Sequence, residues 1–303
     1  MPIEPCADAP VAVTSAAAFS FDGQCYLFGG RSANSNYSNH LYRYDPTKDQ
    51  WCDLGATPLT PRVRPRAVTV GENVYIGLGF NGKVLEDSAY LTDWWKWTPA
   101  TNHWETLSEY PSDRTVGPVV VSDGTFIYTA FGGKQNFERW IFRYDIQKDQ
   151  WLQMADGIER MASYPPRAHS ACGAYCQGRW FFGAGYTRDK SSNFWVEAKM
   201  ERDSVIWHKR LPIQGRRHNA TAVSDNKYIY LAGGSFLGGT VTTGSYYDDI
   251  VRYDPEKDQW ICITHMPEER ENMVSWLIDG VLYVGMGNDK RNQPCKQLYR
   301  IRL

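Results

Sequence analysis

Short runs of apolar residues alternate with polar turns along this chain, and the runs recur in a fixed order. Thr14 to Phe19 is built mostly of small residues. Cys25 to Phe28 is apolar and ends at Gly29-Gly30. A polar loop, 31–39, leads to the aromatic run Leu41-Tyr42-Arg43-Tyr44, closed by Asp45-Pro46. Trp51 opens a further run that stops at Pro58 to Pro61. Alternation bounded by Gly, Pro, Asp and Asn predicts four short strands joined by turns. No segment sustains a 3.6-residue apolar period, so few helices are expected.

The unit appears six times. Its closing glycines are Gly30, Gly79, Gly133, Gly185, Gly234 and Gly287, spaced by 49, 54, 52, 49 and 53 residues. A period of this size predicts a stack or ring of similar supersecondary units. The turn Asp45 to Trp51 recurs as Thr98 to Trp104, Asp145 to Trp151 and Asp254 to Trp260. The fourth repeat keeps Trp207 but reads Met200-Glu201 in place of Tyr-Asp. The sixth has Val281 to Gly287 and Leu298 to Ile301, then ends without a fourth strand. An absent outer strand would leave a row of backbone donors and acceptors open. Counting back from Gly30 in the register of the other repeats puts residues 1–8 in that place. Met1 to about Asp8 is therefore expected to be the outer strand of the sixth sheet, closing a ring. The alternative is a frayed amino end.

The 303 residues suffice for a large core, and closed repeat folds of this length are often one domain. Aromatic residues make up 14% of the chain, which suits half-buried pleated faces. The net charge of -1 gives no global attraction for nucleic acid or a membrane surface. No apolar run is long enough for a spanning helix. Met1 to Ala12 shows no signal-peptide pattern, which slightly favours the cytoplasm; an exported protein with a trimmed leader is the alternative. The seven cysteines are an odd number, several within strand patterns, and read as free thiols. Cys172 and Cys176 lack a matching pair at zinc spacing, so neither metal nor other cofactor is expected.

The Gly-Gly doublets at 29-30, 132-133 and 233-234, the Tyr-Asp pairs at 44-45, 144-145 and 253-254, and the spaced Trp residues resemble the Kelch family. The likeness covers essentially the whole chain. Repeats two, four and six depart from the doublet, with Leu78-Gly79, Ala184-Gly185 and Met286-Gly287. The resemblance implies an all-β fold: a six-bladed β-propeller of four-stranded antiparallel blades, one domain over 1–303. Innermost strands converge on an axis and need small side chains, which Ala16-Ala17-Ala18, Ser170 to Gly173 and Ala220-Thr221-Ala222 supply.

Alternation then fixes a face. With strands a to d counted outward from the axis, the start of a, the b–c loop and the d–a loop share one mouth of the channel. Arg62, Arg114, Arg167, Arg217 and Arg270 fall near the start of strand a in five repeats, and Arg64, Arg66 and Arg216 lie close by. Guanidinium forks match carboxylate and phosphate geometry. Such a set predicts a cationic, ligand-binding mouth, although each arginine could instead bond carbonyls of the adjacent blade. In the Kelch family this mouth is commonly where ligands bind. The b–c loops add Tyr37, Phe80, Phe137, Tyr186 and Phe236, residues suited to sugars or peptides when exposed. The loop 235–247 is the longest and glycine-rich.

Two functions fit. One is a non-enzymatic binding module holding a peptide, a protein or an anionic or sugar ligand at the mouth. The other follows from the resemblance: some six-bladed Kelch proteins are sialic acid mutarotases, with acid–base groups beside an arginine. Candidate acid–base groups here are His169, His218, Glu269, Glu271 and Asp113. Galactose oxidase also carries Kelch motifs. Its copper needs a modified Tyr-Cys pair and His ligands, and the six histidines here are scattered.

Overall fold

A computed structural model describes residues 1–82, 87–112, 115–133, 138–156, 165–237 and 245–303. Its strands form six antiparallel blades. Blade 1 is Ala17–Phe21, Gln24–Phe28, His40–Asp45 and Gln50–Ala56. Blade 2 is Arg66–Val70, Asn73–Gly77, Trp94–Thr98 and His103–Leu107. Blade 3 is Val119–Ser122, Phe126–Gly132, Glu138–Asp145 and Gln150–Gln153. Blade 4 is Cys172–Cys176, Arg179–Gly183, Trp195–Glu201 and Ser204–Lys209, with Ala155–Asp156 added in parallel to its outer strand. Blade 5 is Thr221–Ser224, Ile229–Ala232, Asp249–Asp254 and Gln259–His265. Blade 6 is Val274–Ile278, Val281–Gly285 and Leu298–Arg302. The innermost strands touch in the order 1-2-3-4-5-6-1, so the blades make a closed propeller.

The amino end completes blade 6. Glu4 pairs with Arg300 and Pro5 with Tyr299. The Cys6 N–H donates to the Leu298 carbonyl at 2.9 Å, and the Ala9 N–H to Lys296 at 2.8 Å. The regular ladder is shorter than residues 1–8: pairing and backbone bonds to blade 6 run from Glu4 to Ala9, while Met1 bonds Ile263 and Thr264 on the outer strand of blade 5. Pro5 lacks a backbone donor and suits an outermost strand.

Flat faces of the blades pack on one another through large side chains. Tyr44, Tyr144, Tyr253, Trp94, Trp195 and Trp276 are fully buried, and each such burial is worth about 2–3 kcal/mol. The closing glycines permit close approach. Gly30 has φ +92°, and a Cβ there would sit 2.5 Å from Val13 Cγ2.

One contact recurs in alternate blades and explains the thrice-repeated Lys-Asp-Gln-Trp. In blade 1, Asp49 Oδ1 accepts from the Tyr44 hydroxyl and from the Ala7 N–H, both at 2.7 Å, while Trp51 Nε1 donates to the Ala7 carbonyl at 3.0 Å. Blade 3 repeats this with Tyr144, Asp149 and Trp151 on Ser108. Blade 5 repeats it with Tyr253, Asp258 and Trp260 on Leu211. Each clamp grips the residue that leaves the preceding blade's outer strand. Replacing Asp258 by alanine strands a buried tyrosine hydroxyl and a backbone N–H. The expected loss is about 1–3 kcal/mol in urea unfolding, and a midpoint equal to the parent's would show that the clamp contributes nothing.

Candidate functional site

The starts of the innermost strands and the b–c loops do meet at one mouth. Short antiparallel bridges join Val63 to Phe80, His169 to Tyr186, His218 to Ser235 and Glu271 to Asn288. At the throat, one residue per blade takes the left-handed conformation: Ser15, Arg64, Gly117, Ser170, Asn219 and Asn272, with φ of 52–60°. These residues bond round the axis. The Ser15 N–H donates to Asn272, Asn272 to Asn219, Asn219 to Ser170, and Arg64 to Ser15, all through backbone at 2.8–3.1 Å. Below lies an axial cavity of roughly 200 Å³.

The five-arginine mouth takes a different form from the one expected. Arg62, Arg217 and Arg270 are buried beneath the rim. Arg62 forms a two-pronged pair with Asp93 at 2.6 and 2.8 Å, and its Nη1 also donates to the Leu78 carbonyl. Arg217 pairs in the same way with Asp249 and donates to the Gly233 carbonyl, with the Tyr247 ring 3.9 Å from its guanidinium. Arg270 bonds Glu268, Gln297 and the Met286 carbonyl. Their backbone carbonyls accept from the closing glycine of the preceding blade: Gly30 onto Arg62, Gly185 onto Arg217, Gly234 onto Arg270. These arginines fix blade junctions, which corrects their assignment as ligand-binding groups. The register explains the difference. In five of the six repeats the residue 17 before the closing glycine is buried, and in blade 4 that residue is Ala168, which leaves Arg167 exposed. Arg114, Asp113 and Phe137 lie outside the described residues.

Among the described residues, the cation laid across the throat is instead Arg64, in the ring position 15 before Gly79. Its Nη1 reaches Ser170 Oγ at 2.8 Å, and Nη2 lies 3.5 Å from Asn219 Oδ1. Among the described residues no carboxylate lies within salt-bridge distance of it. Burial pushes its pKa down, with Glu271 opposing. Arg66, deeper in the channel, is pushed down to about 10 by burial and by Arg64, and bonds the carbonyls of Pro65, Gly117 and Pro118. Both remain cationic at neutral pH.

A continuous polar chain runs from Arg64 across the mouth. Ser170 accepts from Arg64 and lies 2.9 Å from His169 Nδ1. Asn219 Nδ2 donates to Glu271 Oε2 at 2.8 Å, and the Ser235 hydroxyl donates to the same oxygen. Ser235 Oγ is 3.3 Å from His218 Nε2, whose Nδ1 is 2.9 Å from Ser191 Oγ. Because Ser235 gives its proton to Glu271, Nε2–H of His218 is the donor to Ser235, and Ser191 donates to Nδ1. The Tyr186 ring sits between the imidazoles, 5.4 Å from His169 and 5.3 Å from His218. Burial lowers both histidines, His169 to about 4, with Arg64 reinforcing the effect, so both are neutral at pH 7.

The structure thus brings His169, His218, Glu271 and Tyr186 together. Glu269 is exposed and lies apart, beside Glu268 and Asp289. Phe80 is buried and meets Tyr90 and Tyr37 edge-on, which removes it as an exposed ligand platform. It helps form an apolar recess of about 270 Å³ with Val63, Val116 and Gly133, bordered by Arg64 and His169. Tyr37 and Phe236 are half-buried. Sequence reasoning passed over Ser170, Asn219, Ser191 and Ser235. A signal existed for the first two: the column 15 before each closing glycine reads Ser15, Arg64, Ser170, Asn219 and Asn272 in five repeats.

A family model of the KLHDC2/KLHL20/DRC7 Kelch-repeats domain matches residues 2–172, more than half the chain, and a Kelch motif matches residues 216–267. Kelch-like protein 38 of Homo sapiens is 26% identical over 275 residues, covering 86% of this chain and 42% of that protein. N-acetylneuraminate epimerase of Pasteurella multocida is 30% identical over 233 residues, covering 75% of this chain and 54% of the epimerase. The chain spans well under half the length of the Kelch-like proteins it matches, 42% of one and 26% of another, Kelch-like protein 41a of Danio rerio. The solved structure of YjhT superposes with a TM-score of 0.78 at 16% identity, covering 97% of this chain and 95% of that one, a likeness of fold.

Proposed function

The chain belongs to the Kelch-repeat family, and on that footing we propose that it is a binding module whose channel mouth holds an acidic segment of a partner protein. The observation that carries this reading is Arg64. Its guanidinium lies across the throat against neutral acceptors, while Arg62, Arg217 and Arg270 are each neutralised by a carboxylate or held by amide and carbonyl oxygens. A half-buried cation whose side-chain partners among the described residues are a hydroxyl and an amide favours an incoming carboxylate. The apolar recess beside it takes an adjoining side chain. The test is a fluorescence titration with a panel of acidic peptides. Arg64→Met is expected to weaken binding by about 10–100-fold, the worth of a charge-assisted bond, with little change in melting temperature. Unchanged affinity in the variant would remove Arg64 from the reading.

A second reading is favoured by the directed chain Ser191–His218–Ser235–Glu271, which can move a proton between a bound ligand and a carboxylate. It makes the chain a mutarotase or epimerase of an acidic sugar, in line with its similarity to N-acetylneuraminate epimerase. Anomer exchange of N-acetylneuraminate followed by NMR tests it. Exchange above background that is lost in Glu271→Gln supports the enzyme, and background exchange in the parent removes it.

A further inference from the structure

At the outer edge of blade 5, away from the channel, Cys262 and His265 on the outer strand and Asp248 just before the third strand form a separate arrangement. The exposed Cys262 Sγ lies 3.5 Å from His265 Nε2. His265 Nδ1 lies 2.9 Å from Asp248 Oδ1. The backbone makes this possible. The ladder between Asp249–Asp254 and Gln259–His265 shifts register, so that Ile250 faces Thr264 while Val251 faces Cys262, and Ile263 is the extra residue. The shift lets residues three apart turn their side chains to one another. A thiol, an imidazole within reach of it and a carboxylate orienting the imidazole are the parts of an activated nucleophile.

We propose that Cys262 is a modification site that exchanges with small cationic disulfides, with His265 as its base and Asp248 as a positioning residue. Asp248 fixes the tautomer with the proton on Nδ1, which leaves Nε2 free to accept from the thiol. The thiol proton passes to Nε2, and the sulfur attacks one sulfur of the disulfide. The S–S bond breaks as the new one forms, and the departing thiolate takes the proton back from His265. The protein sulfur is oxidised and the departing sulfur reduced, so no other reagent is needed. Among the described residues the surrounding charges are these. Asp249 and Asp248 are negative; Arg217 is positive but occupied by Asp249; the Met1 ammonium donates to the Ile263 carbonyl at 3.0 Å. Burial and Asp249 hold the Cys262 thiol above its usual value, so it rests protonated and depends on a base. The bond to Asp248 raises His265, making it a stronger base. Cation preference follows from Asp248, which also lines a cavity of about 470 Å³ with Glu268, Glu269 and Asp289, where Lys290 and Arg291 only partly offset the carboxylates.

Cys52 is a comparator within the same molecule: it is exposed on the outer strand of blade 1 and lies 3.7 Å from the Asp53 carbonyl, as Cys262 lies 3.6 Å from the Thr264 carbonyl, but the imidazole contact described here is that of Cys262. The experiment treats the native protein with cystamine, and separately with the anionic glutathione disulfide, and follows mixed-disulfide formation at each cysteine by peptide mass spectrometry. Cys262 is expected to react about tenfold faster than Cys52 near neutral pH, and faster with cystamine than with glutathione disulfide. Its rate rises through the titration of His265 and then flattens, whereas that of Cys52 climbs on through the thiol range. His265→Gln brings the Cys262 rate and profile to those of Cys52. Asp248→Asn moves the rise to lower pH, because the carboxylate no longer raises the imidazole. Equal reactivity at the two cysteines, or a Cys262 profile unmoved by His265→Gln, overturns the proposal. Faster reaction with the anionic disulfide overturns its ligand class.

Discussion

Arg217→Ala is expected to lower the unfolding free energy by about 3–5 kcal/mol, the usual cost of removing one partner from a buried ion pair. The side chain is 1% exposed and lies between Asp249, the carbonyls of Gly233 and Gln214, and the Tyr247 ring. Alanine leaves a carboxylate and two carbonyls without donors and opens a void under the ring. Arg217→Lys recovers only part, because an ammonium cannot span both carboxylate oxygens and both carbonyls. Arg167→Ala, at an exposed position in the adjacent blade, should stay within roughly 0.5 kcal/mol of the parent. Urea unfolding of the three variants measures this. A loss below about 1 kcal/mol in Arg217→Ala would mean that the pair behaves as a surface ion pair, and the junction role assigned to these arginines would be withdrawn.

Removing residues 1–8 should cost even more. The Cys6 bond to Leu298 is lost, as are both Ala7 bonds to the blade 1 clamp, the Met1 ammonium bond to Ile263, the Thr264 bond to Met1 and the Glu4–Arg300 ion pair. At about 0.5–1.5 kcal/mol each the hydrogen bonds alone sum to roughly 3–7 kcal/mol. Of the blade 1 clamp only the Tyr44–Asp49 bond survives, and Leu298–Arg302 becomes an open edge that invites pairing between molecules. The expected result is a large fall in the thermal midpoint together with aggregation on heating. A truncated protein that melts like the parent would show that the ring is held shut by other contacts.

The propeller was legible because its signals are local and repeated: glycines at a steady spacing, small residues on the innermost strands, Lys-Asp-Gln-Trp at the outer turns. Even the closing strand could be placed, since a blade short of one strand and a segment in register elsewhere imply each other. That the strand starts and b–c loops share one mouth was legible from alternation, and the placing of His169, His218 and Glu271 at that mouth followed from their nearness to the innermost strands. The role of the arginines was not. A residue type at a constant spacing marks a register, and two residues separate a side chain turned under the rim, as in Arg62, from one laid across the throat, as in Arg64. Ser191 and Ser235 were out of reach for another reason. Loop serines carry no periodic signal, and only the ring brings Ser191 against the Leu237 backbone of the next blade.

The Asp clamps sit in blades 1, 3 and 5, and each holds the blade before it. They therefore divide the ring into three couples, 6 with 1, 2 with 3 and 4 with 5. The seams between couples are fastened by other means: 1/2 by the Gly30 bond to Arg62, 3/4 by the parallel pairing of Ala155–Asp156 with the outer strand of blade 4, and 5/6 by the Gly234 bond to Arg270 and by Met1 on Ile263 and Thr264. A molecule of sixfold outline is thus held with a threefold alternation of fastenings, and loss of one Asp clamp should speed amide exchange within its own couple before it reaches the others.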